Sequence, residues 1–231
     1  MHDLPAPIRP TIAAMPGSRI RQVSEGAFHR PGLVPLWFGE SDRPTPQFIC
    51  DAAARAMREG HTFYTPNRGI PALREAIAGY LTGLGRRAID VERVNVTASG
   101  VSAIMMIMEA IVDPGDNVVL VTPVWPNCSD AVEAMGGEAR RVALRPTDAG
   151  WALDLDRMFA AVDARTRAIL VNTPGNPTGW MATADDLRAI LDFCRKRRIW
   201  LIADEVYERL VYDRRVSPSP LDVAAPDDPV I

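Results

Sequence analysis

Lysine is almost absent from this sequence of 231 residues. Of the 26 basic side chains, only Lys196 is a lysine and the others are arginines. Lys196 lies in the basic run of residues 195–198 at the end of a predicted helix, where the helix dipole favours cations. A basic binding patch is the alternative interpretation of this run. Any chemistry that needs a reactive lysine therefore has a single candidate in this chain.

Cysteine and histidine are also scarce, with three residues of each. Cys50, Cys128 and Cys194 are scattered and odd in number, which favours reduced thiols in the cytoplasm over a disulfide framework. Buried structural thiols are the simplest interpretation of all three. The histidines have no metal-ligand spacing to one another or to the cysteines, so we expect no metal site.

Long hydrophobic runs and several catalytic motifs are missing as well. No apolar run approaches the ~20 residues of a membrane span, and the proline-broken N-terminus lacks the apolar core of a signal peptide. The net charge of −3 argues against a nucleic-acid surface. Neither a P-loop, a G-x-G-x-x-G sequence nor a nucleophile elbow occurs. We therefore expect a cytoplasmic protein without a nucleic-acid or membrane partner.

What the sequence does contain is a βαβ pattern in residues 168–212. An apolar run at residues 168–171 ends in a Pro/Gly-rich turn, a helix with a capping box begins at Thr183, and a second apolar run ends in Asp204. Apolar runs separated by a helix are typical of a buried parallel sheet. Because ligands bind beyond the carboxyl ends of such strands, we expect Asn176 and Asp204 to face one pocket. A carboxylate there needs a cationic or hydrogen-bonding partner.

Similar patterns along the rest of the chain predict further helices and strands, preceded by an extended arm at residues 1–35. Predicted helices cover about residues 46–60, 70–84, 103–112, 129–135 and 155–162. Predicted strands cover residues 94–98, 117–122 and 140–144, and another strand is expected to begin at 229–231.

Five stretches of the sequence, taken in order, resemble the pyridoxal-phosphate-dependent aminotransferases of fold type I. They are YTPNRGIPALREAIAGYL at 64–81, VTASGVSA at 96–103, TPVWPN at 122–127, NTPGNPTG at 172–179 and ADEVY at 203–207. The resemblance implies an α/β fold, a three-layer sandwich with a mostly parallel sheet, incomplete at the C-terminus. It places residues 1–45 in an N-terminal arm and part of a small domain, and residues 46–231 in the large, cofactor-binding domain.

The resemblance also implies which residues hold the cofactor, pyridoxal phosphate. They are Ser99, Gly100, Val101, Trp125, Asn176, Asp204, Tyr207 and Tyr64. In this family the acid at the position of Asp204 keeps the pyridine nitrogen protonated, so that the ring can withdraw electrons. Asn176 and Tyr207 match the donors to the phenolic oxygen of the ring. Without the family, Asp204 could be a helix cap or surface acid, Asn176 a turn residue and Tyr207 a half-buried aromatic.

Two further matches concern the face of the ring and the phosphate. Trp125 matches the aromatic residue that stacks on the ring, although a core or interface role is the alternative. Residues 99–101 match a phosphate cradle, because free backbone N–H groups and the dipole at a helix start favour an anion. A tight βα turn is the alternative for these three residues. The resemblance also allows a cis Asn176–Pro177 bond, which the family often has.

Substrate and subunit contacts follow from the same resemblance. Gly39 matches the residue whose backbone N–H meets the substrate carboxylate, and Asn176 is expected to contribute to substrate binding as well. A simple strand-ending glycine is the alternative for Gly39. Tyr64 matches a residue that reaches the phosphate of the neighbouring subunit, which implies a homodimer with shared active sites.

The sequence departs from the family in one respect that matters for catalysis. The family's lysine, which forms a Schiff base with the cofactor and moves the substrate's α-proton, would follow the last residue of this sequence. Lys196 precedes the second strand of the βαβ pattern and cannot replace it. We therefore expect no catalytic residue in this chain. Two later strands and the C-terminal small domain, with its substrate-binding arginine, are expected to be missing, so the segment alone would be inactive.

The implied activity is the transfer of an amino group between an amino acid and a 2-oxo acid by the full-length protein. A C–S β-lyase of the same fold is the nearest alternative, because the cofactor anchors are shared. A non-catalytic, truncated aminotransferase-like module is the alternative from another functional class. No residue in the sequence identifies the amino donor.

Overall fold

The computed structural model describes residues 8–231, in which the regular elements up to residue 111 are helices and strands occur among helices from residue 117 onward. The strands are β1 (Asn117–Thr122), β2 (Glu138–Ala143), β3 (Arg145–Thr147), β4 (Gly150–Ala152), β5 (Thr166–Asn172) and β6 (Trp200–Asp204). The α-helices are α1 (Pro10–Ala13), α2 (Arg19–Glu25), α3 (Gln47–Arg58), α4 (Pro71–Gly83), α5 (Gly100–Ile111), α6 (Pro126–Ala134), α7 (Leu155–Ala160) and α8 (Ala184–Arg197). Short 3-10 helices occur at Val91–Arg93 and Pro220–Asp222.

Four of the strands form a parallel sheet in the order β2-β1-β5-β6. Asn172 and Asp204, the last residues of β5 and β6, are paired in the register, so both strands end at the same edge. On the far side of β6, Leu201 forms a parallel bridge with Val230, and the Ile231 N–H donates to the Leu201 carbonyl at 3.0 Å. The predicted βαβ unit is therefore confirmed, and a strand begins at residues 229–231 as expected.

Both faces of this sheet are buried, because alternate side chains of a strand point to opposite sides. Val119 and Ile169 pack in one core with residues of α7 and α8. Val118 and Leu170 pack in a second core with residues of α5 and α6. All four side chains are fully buried, and burial of each contributes about 1.5–3 kcal/mol. Helices on both faces of a mostly parallel sheet confirm the predicted three-layer α/β fold.

Helix α8 connects β5 to β6 and begins as its sequence predicts. The Thr183 side chain accepts from the Asp186 N–H at 3.0 Å, and the Asp186 carboxylate accepts from the Thr183 N–H at 3.0 Å. Such a reciprocal cap satisfies two backbone donors and contributes about 1 kcal/mol. The helix ends at Arg198, which has a φ of 56° in the left-handed region. The next strand can therefore turn back along the sheet.

The strand predicted at residues 94–98 is not formed. The Val94 carbonyl accepts from Arg74 Nε at 2.9 Å, and residues 94–97 have no regular structure. None of the strands within residues 8–231 pairs with this segment. A strand needs a neighbour to take its backbone hydrogen bonds, so the apolar pattern alone does not produce one here.

Other boundaries also differ from the predictions. The extended arm predicted at residues 1–35 contains two short helices, α1 and α2, within its described part, and residues 1–7 lie outside the described residues. Helix α5 begins at Gly100, three residues before the predicted start, because Ser99 caps it. The antiparallel hairpin of β3 and β4 was not predicted. Within residues 8–231, no helix combines the length and hydrophobicity that crossing a membrane requires.

Backbone contacts divide the chain into two units. Of the described residues, the first unit comprises 8–15 and 71–231 and contains the parallel sheet, whereas the second comprises 16–70. In the second unit, Phe28, Trp37 and Phe38 form an aromatic cluster, with the Arg21 guanidinium 4.9 Å from the Phe38 ring centre. The division at residue 45 that the resemblance implies concerns the family's domains and stays a prediction.

Candidate active site

The carboxyl ends of β5 and β6 bring polar groups together at one edge of the sheet. The Asp204 carbonyl accepts from the Thr173 N–H at 3.0 Å and from Asn172 Nδ2 at 3.1 Å. Asn172 Oδ1 in turn accepts from the Asn176 N–H at 2.7 Å. The buried Asn172 side chain therefore fixes the turn after β5 to the end of β6.

The Asp204 carboxyl group lies in this edge with little compensation for its charge. Its Oδ1 accepts from the Val206 N–H at 3.2 Å. Burial raises the pKa of Asp204, and the Val206 N–H opposes that rise only in part. Among the ion pairs of residues 8–231, none includes Asp204. A half-buried carboxylate in this state gains stability from any cation brought next to it.

The electrostatic influence of Asp204 extends to helix α6. Burial, and then the charge of Asp204, raise the pKa of the Cys128 thiol to about 12. Cys128 lies in the first turn of α6, three residues after Trp125, which is the N-cap position of that helix. Trp125 is partly buried and packs against the core formed with α5 and α6. The charge of Asp204 therefore acts on the helix that follows Trp125.

Asn176 and Tyr207 meet at the same edge. Asn176 Nδ2 donates to the Tyr207 hydroxyl at 3.5 Å, the upper limit of a hydrogen bond. The Asn176–Pro177 peptide is cis, as the resemblance allowed. Glycine suits position 175, because a Cβ there would make a tight contact of 3.0 Å with the Asn172 carbonyl oxygen. The turn thus holds the Asn176 amide beside Tyr207.

Ser99, Gly100 and Val101 form the start of helix α5. The Ser99 hydroxyl accepts from the Ser102 N–H at 3.2 Å and lies 3.0 Å from the Ser102 hydroxyl. The first N–H groups of any helix lack intrahelical partners, and the first turn of α5 contains no acidic residue. A strand was predicted directly before these residues, and it is not formed. Their position at a helix N-terminus nevertheless suits an anion.

Two predicted site residues, Gly39 and Tyr64, belong to the second unit. Both are exposed, and the Tyr64 side chain is fully exposed. Their predicted contacts with substrate and with the neighbouring subunit stay predictions.

Lys196 lies at the opposite edge of the sheet from Asp204. It is in the last turn of α8, and β6 then runs for five residues before reaching Asp204. The two ends of such a strand lie on the order of 13 Å apart. An open cleft of about 470 Å³ beside Lys196 is lined also by Arg167, Arg197 and Arg198. This cleft is therefore separate from the polar groups around Asp204.

Comparison with known proteins identifies the family. The family model described as aminotransferase class I and II matches residues 33–230. This chain belongs to that family. Its members are pyridoxal-phosphate-dependent enzymes of fold type I, so the predicted family and cofactor are confirmed.

Relatives of this aminotransferase chain include enzymes described as aspartate/prephenate aminotransferases. The probable aspartate/prephenate aminotransferase of Aquifex aeolicus is 39% identical over 183 residues, which cover 78% of this chain and 46% of the relative. The aspartate/prephenate aminotransferase of Thermus thermophilus is 36% identical over 181 residues, which cover 78% of this chain and 47% of the relative. The chain thus spans about half the length of these curated relatives.

Solved structures give the same result for the fold. The aspartate aminotransferase of Thermotoga maritima superimposes with a TM-score of 0.89 at 30% identity, over 96% of this chain and 60% of that chain. The Thermus thermophilus aspartate aminotransferase with maleate superimposes with a TM-score of 0.87 at 34% identity, over 94% and 58% of the two chains. The aminotransferase fold therefore extends through nearly all of this chain.

The described residues suit the family's cofactor in two respects. A carboxyl group with a raised pKa and no basic partner within residues 8–231 fits a protonated pyridine nitrogen. The N-terminus of α5, with its Ser99 hydroxyl, fits a phosphate. Within the same residues, no group of three or more histidine, cysteine, aspartate or glutamate side chains is arranged to hold a metal ion.

Two further polar residues at this edge of the sheet were not among the predicted site residues. Asn172 connects Asp204 to Asn176, and its signal was a polar residue closing an otherwise apolar strand. Glu205 is the second residue. Burial raises its pKa to about 7, and the adjacent acidic residue in the ADEVY stretch was its only local signal.

Proposed function

We propose that the protein containing this chain transfers an amino group from an amino acid to a 2-oxo acid with pyridoxal phosphate. The observation that carries the proposal is the carboxyl of Asp204 at the carboxyl edge of a parallel sheet, next to Asn172 and Asn176, where the Val206 N–H compensates its burial only in part. The family match supports the same reaction class.

Asp204 would hold a proton on the cofactor's pyridine nitrogen. Bound pyridoxal phosphate supplies an electron-withdrawing ring, which is effective only while that nitrogen stays protonated. The carboxylate and the cationic nitrogen would stabilise each other in a partly desolvated setting, where charge-assisted hydrogen bonds are strong. The raised pKa of Asp204 supports this role, because the acid lacks such a partner among residues 8–231.

Other residues would bind and orient the cofactor. Asn176 and Tyr207, which already contact each other, would both donate to the phenolic oxygen of the ring. Trp125 would cover one face of the ring, where its flat indole excludes water. The phosphate would be held by the N-terminus of α5 with Ser99.

The proposal also covers the substrate, the homodimer and the cellular compartment of the protein. The names of the relatives make aspartate the first amino donor to test. Gly39 and Asn176 would bind the substrate, and Tyr64 would reach the phosphate of the partner in a homodimer. A dimer is supported by exposed apolar side chains in the second unit, which include Phe48, Met57 and Phe63. Three free cysteines support a cytoplasmic protein.

The lysine that carries the cofactor would lie outside this chain, because Lys196 is at the wrong edge of the sheet. The test is to load the full-length protein with pyridoxal phosphate, reduce it with borohydride and map the modified peptide. We expect a lysine other than Lys196 to be labelled. Specific labelling of Lys196 together with turnover would contradict this part of the proposal.

The reaction itself is tested by incubating the loaded full-length protein with aspartate and 2-oxoglutarate. We expect glutamate to form only when both are present. Release of pyruvate and ammonia from a sulfur-containing amino acid without any acceptor would instead identify a C–S β-lyase. If the protein binds no pyridoxal phosphate at all, the proposal is wrong and a non-catalytic module is the better interpretation.

A further inference from the structure

Arg86 is a buried arginine three residues after the end of helix α4. Only 2% of its side chain is exposed. Its Nη1 donates to Asp222 Oδ1 at 2.7 Å and its Nη2 donates to Glu208 Oε2 at 3.1 Å. Both nitrogens also lie near the Ser217 carbonyl oxygen, at 3.5 and 3.4 Å. These partners are more than 120 residues away in the sequence, so Arg86 joins two distant parts of the first unit.

All the partners of Arg86 lie in one segment, residues 205–222, which follows directly on Asp204. The segment has little regular structure, since its one regular element is the short 3-10 helix Pro220–Asp222. Val206 and Leu210 are largely exposed, and apolar packing is confined to the end of the segment, where Leu221 contacts the core formed with α8. The part of the segment before Pro220 is therefore positioned mainly by its polar contacts.

Arg86 is the positive charge that faces the acidic side chains of this cluster. Its guanidinium faces three carboxyl groups, those of Glu205, Glu208 and Asp222. Burial raises the pKa of Glu205 to about 7, and the charge of Arg86 opposes that rise. Glu205 Oε2 accepts from the Ser219 hydroxyl at 2.9 Å. Loss of the arginine would leave the largely buried carboxyl groups of Glu205 and Glu208 without this counter-charge, which is unfavourable.

The cluster also contains polar atoms that are not satisfied. Within residues 8–231, Arg86 Nε, Glu205 Oε1 and Ser217 Oγ are buried without a hydrogen-bond partner. Buried polar groups are normally paired with protein or with ordered water. The cluster adjoins Asp204 and includes the segment that carries Tyr207, so the contacts of Arg86 bear on the positions of both residues.

We propose that Arg86 is a positioning residue of the cofactor site, which anchors residues 205–222 and thereby holds Asp204 and Tyr207 against the cofactor ring. Arg86 acts through these two residues and contacts neither cofactor nor substrate itself. The inference rests on the proposed function, because it assigns Arg86 to the same site.

The test compares Arg86→Met with Arg87→Met in the full-length protein. Arg87 is the adjacent arginine but is exposed, and its Nη1 contacts only the Ala224 carbonyl at 3.4 Å, so Arg87→Met is a matched control. Two quantities are measured: the dissociation constant for pyridoxal phosphate, and the pH at which the absorption spectrum of the bound cofactor changes. We expect Arg86→Met to weaken binding about tenfold or more and to shift that pH, whereas Arg87→Met leaves both near the wild-type values.

A double-mutant cycle with Tyr207→Phe separates positioning from general destabilisation. If Arg86 acts through Tyr207, the spectral shift of the double variant is smaller than the sum of the single shifts. Additive shifts, or an Arg86→Met protein with a lower melting temperature but wild-type affinity and spectrum, would overturn the inference.

Milder variants cover the case in which Arg86→Met does not fold. Glu208→Gln and Asp222→Asn each weaken one contact of Arg86, and both are expected to shift affinity and spectrum in the same direction by smaller factors. Wild-type behaviour of both would also overturn the inference. If the wild-type protein takes up no cofactor, the proposed function and this inference are both wrong. If the wild type binds and the Arg86 variants bind equally well, only this inference is wrong.

Discussion

The carboxylates at the two edges of one parallel sheet have opposite pKa shifts. At the amino-end edge, Asp116 precedes β1 and accepts from Arg167 Nε at 2.8 Å, which lowers its pKa. Asp163 precedes β5 and accepts from Asn117 Nδ2 at 2.9 Å, from the Arg165 N–H and from Arg140, which together lower its pKa well below the usual range. At the carboxyl-end edge, burial raises the pKa of both Asp204 and Glu205.

This difference separates structural acids from acids of a candidate active site. The amino-end carboxylates have arginine and amide donors, so they fasten the starts of β1 and β5 and gain stability from their charge. The carboxyl-end acids are desolvated without equal compensation, which costs stability. Desolvated acids with raised pKa values are typical of functional sites. Variants of matched residues at the two edges should therefore differ in whether they change turnover or stability.

The largest effect is expected for Asp204→Asn, compared with Asp116→Asn as its partner at the opposite edge. Replacing Asp204 removes the anion proposed to face the pyridine nitrogen, so turnover should fall by at least about 100-fold. The melting temperature without cofactor should stay constant or rise, because a poorly compensated acid is lost. Asp116→Asn should do the reverse, with turnover nearly unchanged and a lower melting temperature. Equal loss of turnover in both variants would remove the distinction between the edges.

A pH titration of stability gives the next largest effect. The pKa of Glu205 rises from 4.5 to about 7 on folding, so the folded state favours the protonated acid. The contribution of Glu205 to the free energy of unfolding is therefore complete below about pH 4.5 and is lost as the pH rises through 7. The loss is on the order of 3 kcal/mol at most. Asp116 and Asp163 have lowered pKa values, so their contribution is present above about pH 4 and lost on acidification. Glu205→Gln should flatten the melting-temperature profile between pH 5 and 8 and leave the acid limb unchanged.

Two buried asparagines extend the comparison. Asn117 at the amino-end edge donates to Asp163 and accepts from the Thr166 hydroxyl at 2.6 Å. Asn117→Ala should cost about 2 kcal/mol in unfolding free energy, since it leaves buried partners unpaired, without weakening cofactor binding. Asn172→Ala at the other edge should weaken cofactor binding measurably, because Asn176 loses its anchor. Chemical denaturation and a cofactor titration of both variants measure these quantities, and identical profiles would contradict the division.

The smallest effect concerns the helix cap at Thr183, which lies at the carboxyl-end edge but outside the proposed site. Thr183→Ala removes half of the capping box and should cost about 1 kcal/mol. Cofactor affinity should be unchanged when it is measured by titration at a temperature where the variant stays folded. A change in affinity would mean that any disturbance at this edge affects cofactor binding. The effects expected for the Asp204 and Asn172 variants would then not show that these two residues belong to the site.

Much of the fold was predictable, because its signals are local. The apolar runs of β5 and β6, the cap at Thr183 and the turn at residues 172–179 depend on neighbouring residues, and all of them were predicted. The strand at 94–98 was predicted wrongly, because strand formation depends on a partner that no local pattern reports. The early start of α5 was missed although Ser99 is a typical N-cap.

The candidate site was predictable only in part. Asp204, Asn176 and Tyr207 were identified by the resemblance, and the structure brings them to one edge. The contacts of Arg86 with Glu208 and Asp222 span 122 and 136 residues, and no pattern in the sequence connects them. Likewise, the pKa of Glu205 depends on burial by distant residues. Contacts of this kind become visible only after the chain is folded.

The central claim is that Asp204 keeps the cofactor's pyridine nitrogen protonated. The most direct test is the ¹⁵N chemical shift of that nitrogen, measured on isotopically labelled pyridoxal phosphate bound to the full-length protein. In the wild type the shift should be that of a protonated nitrogen throughout the neutral pH range, and in Asp204→Asn that of an unprotonated nitrogen. The same shift in both proteins would contradict the account.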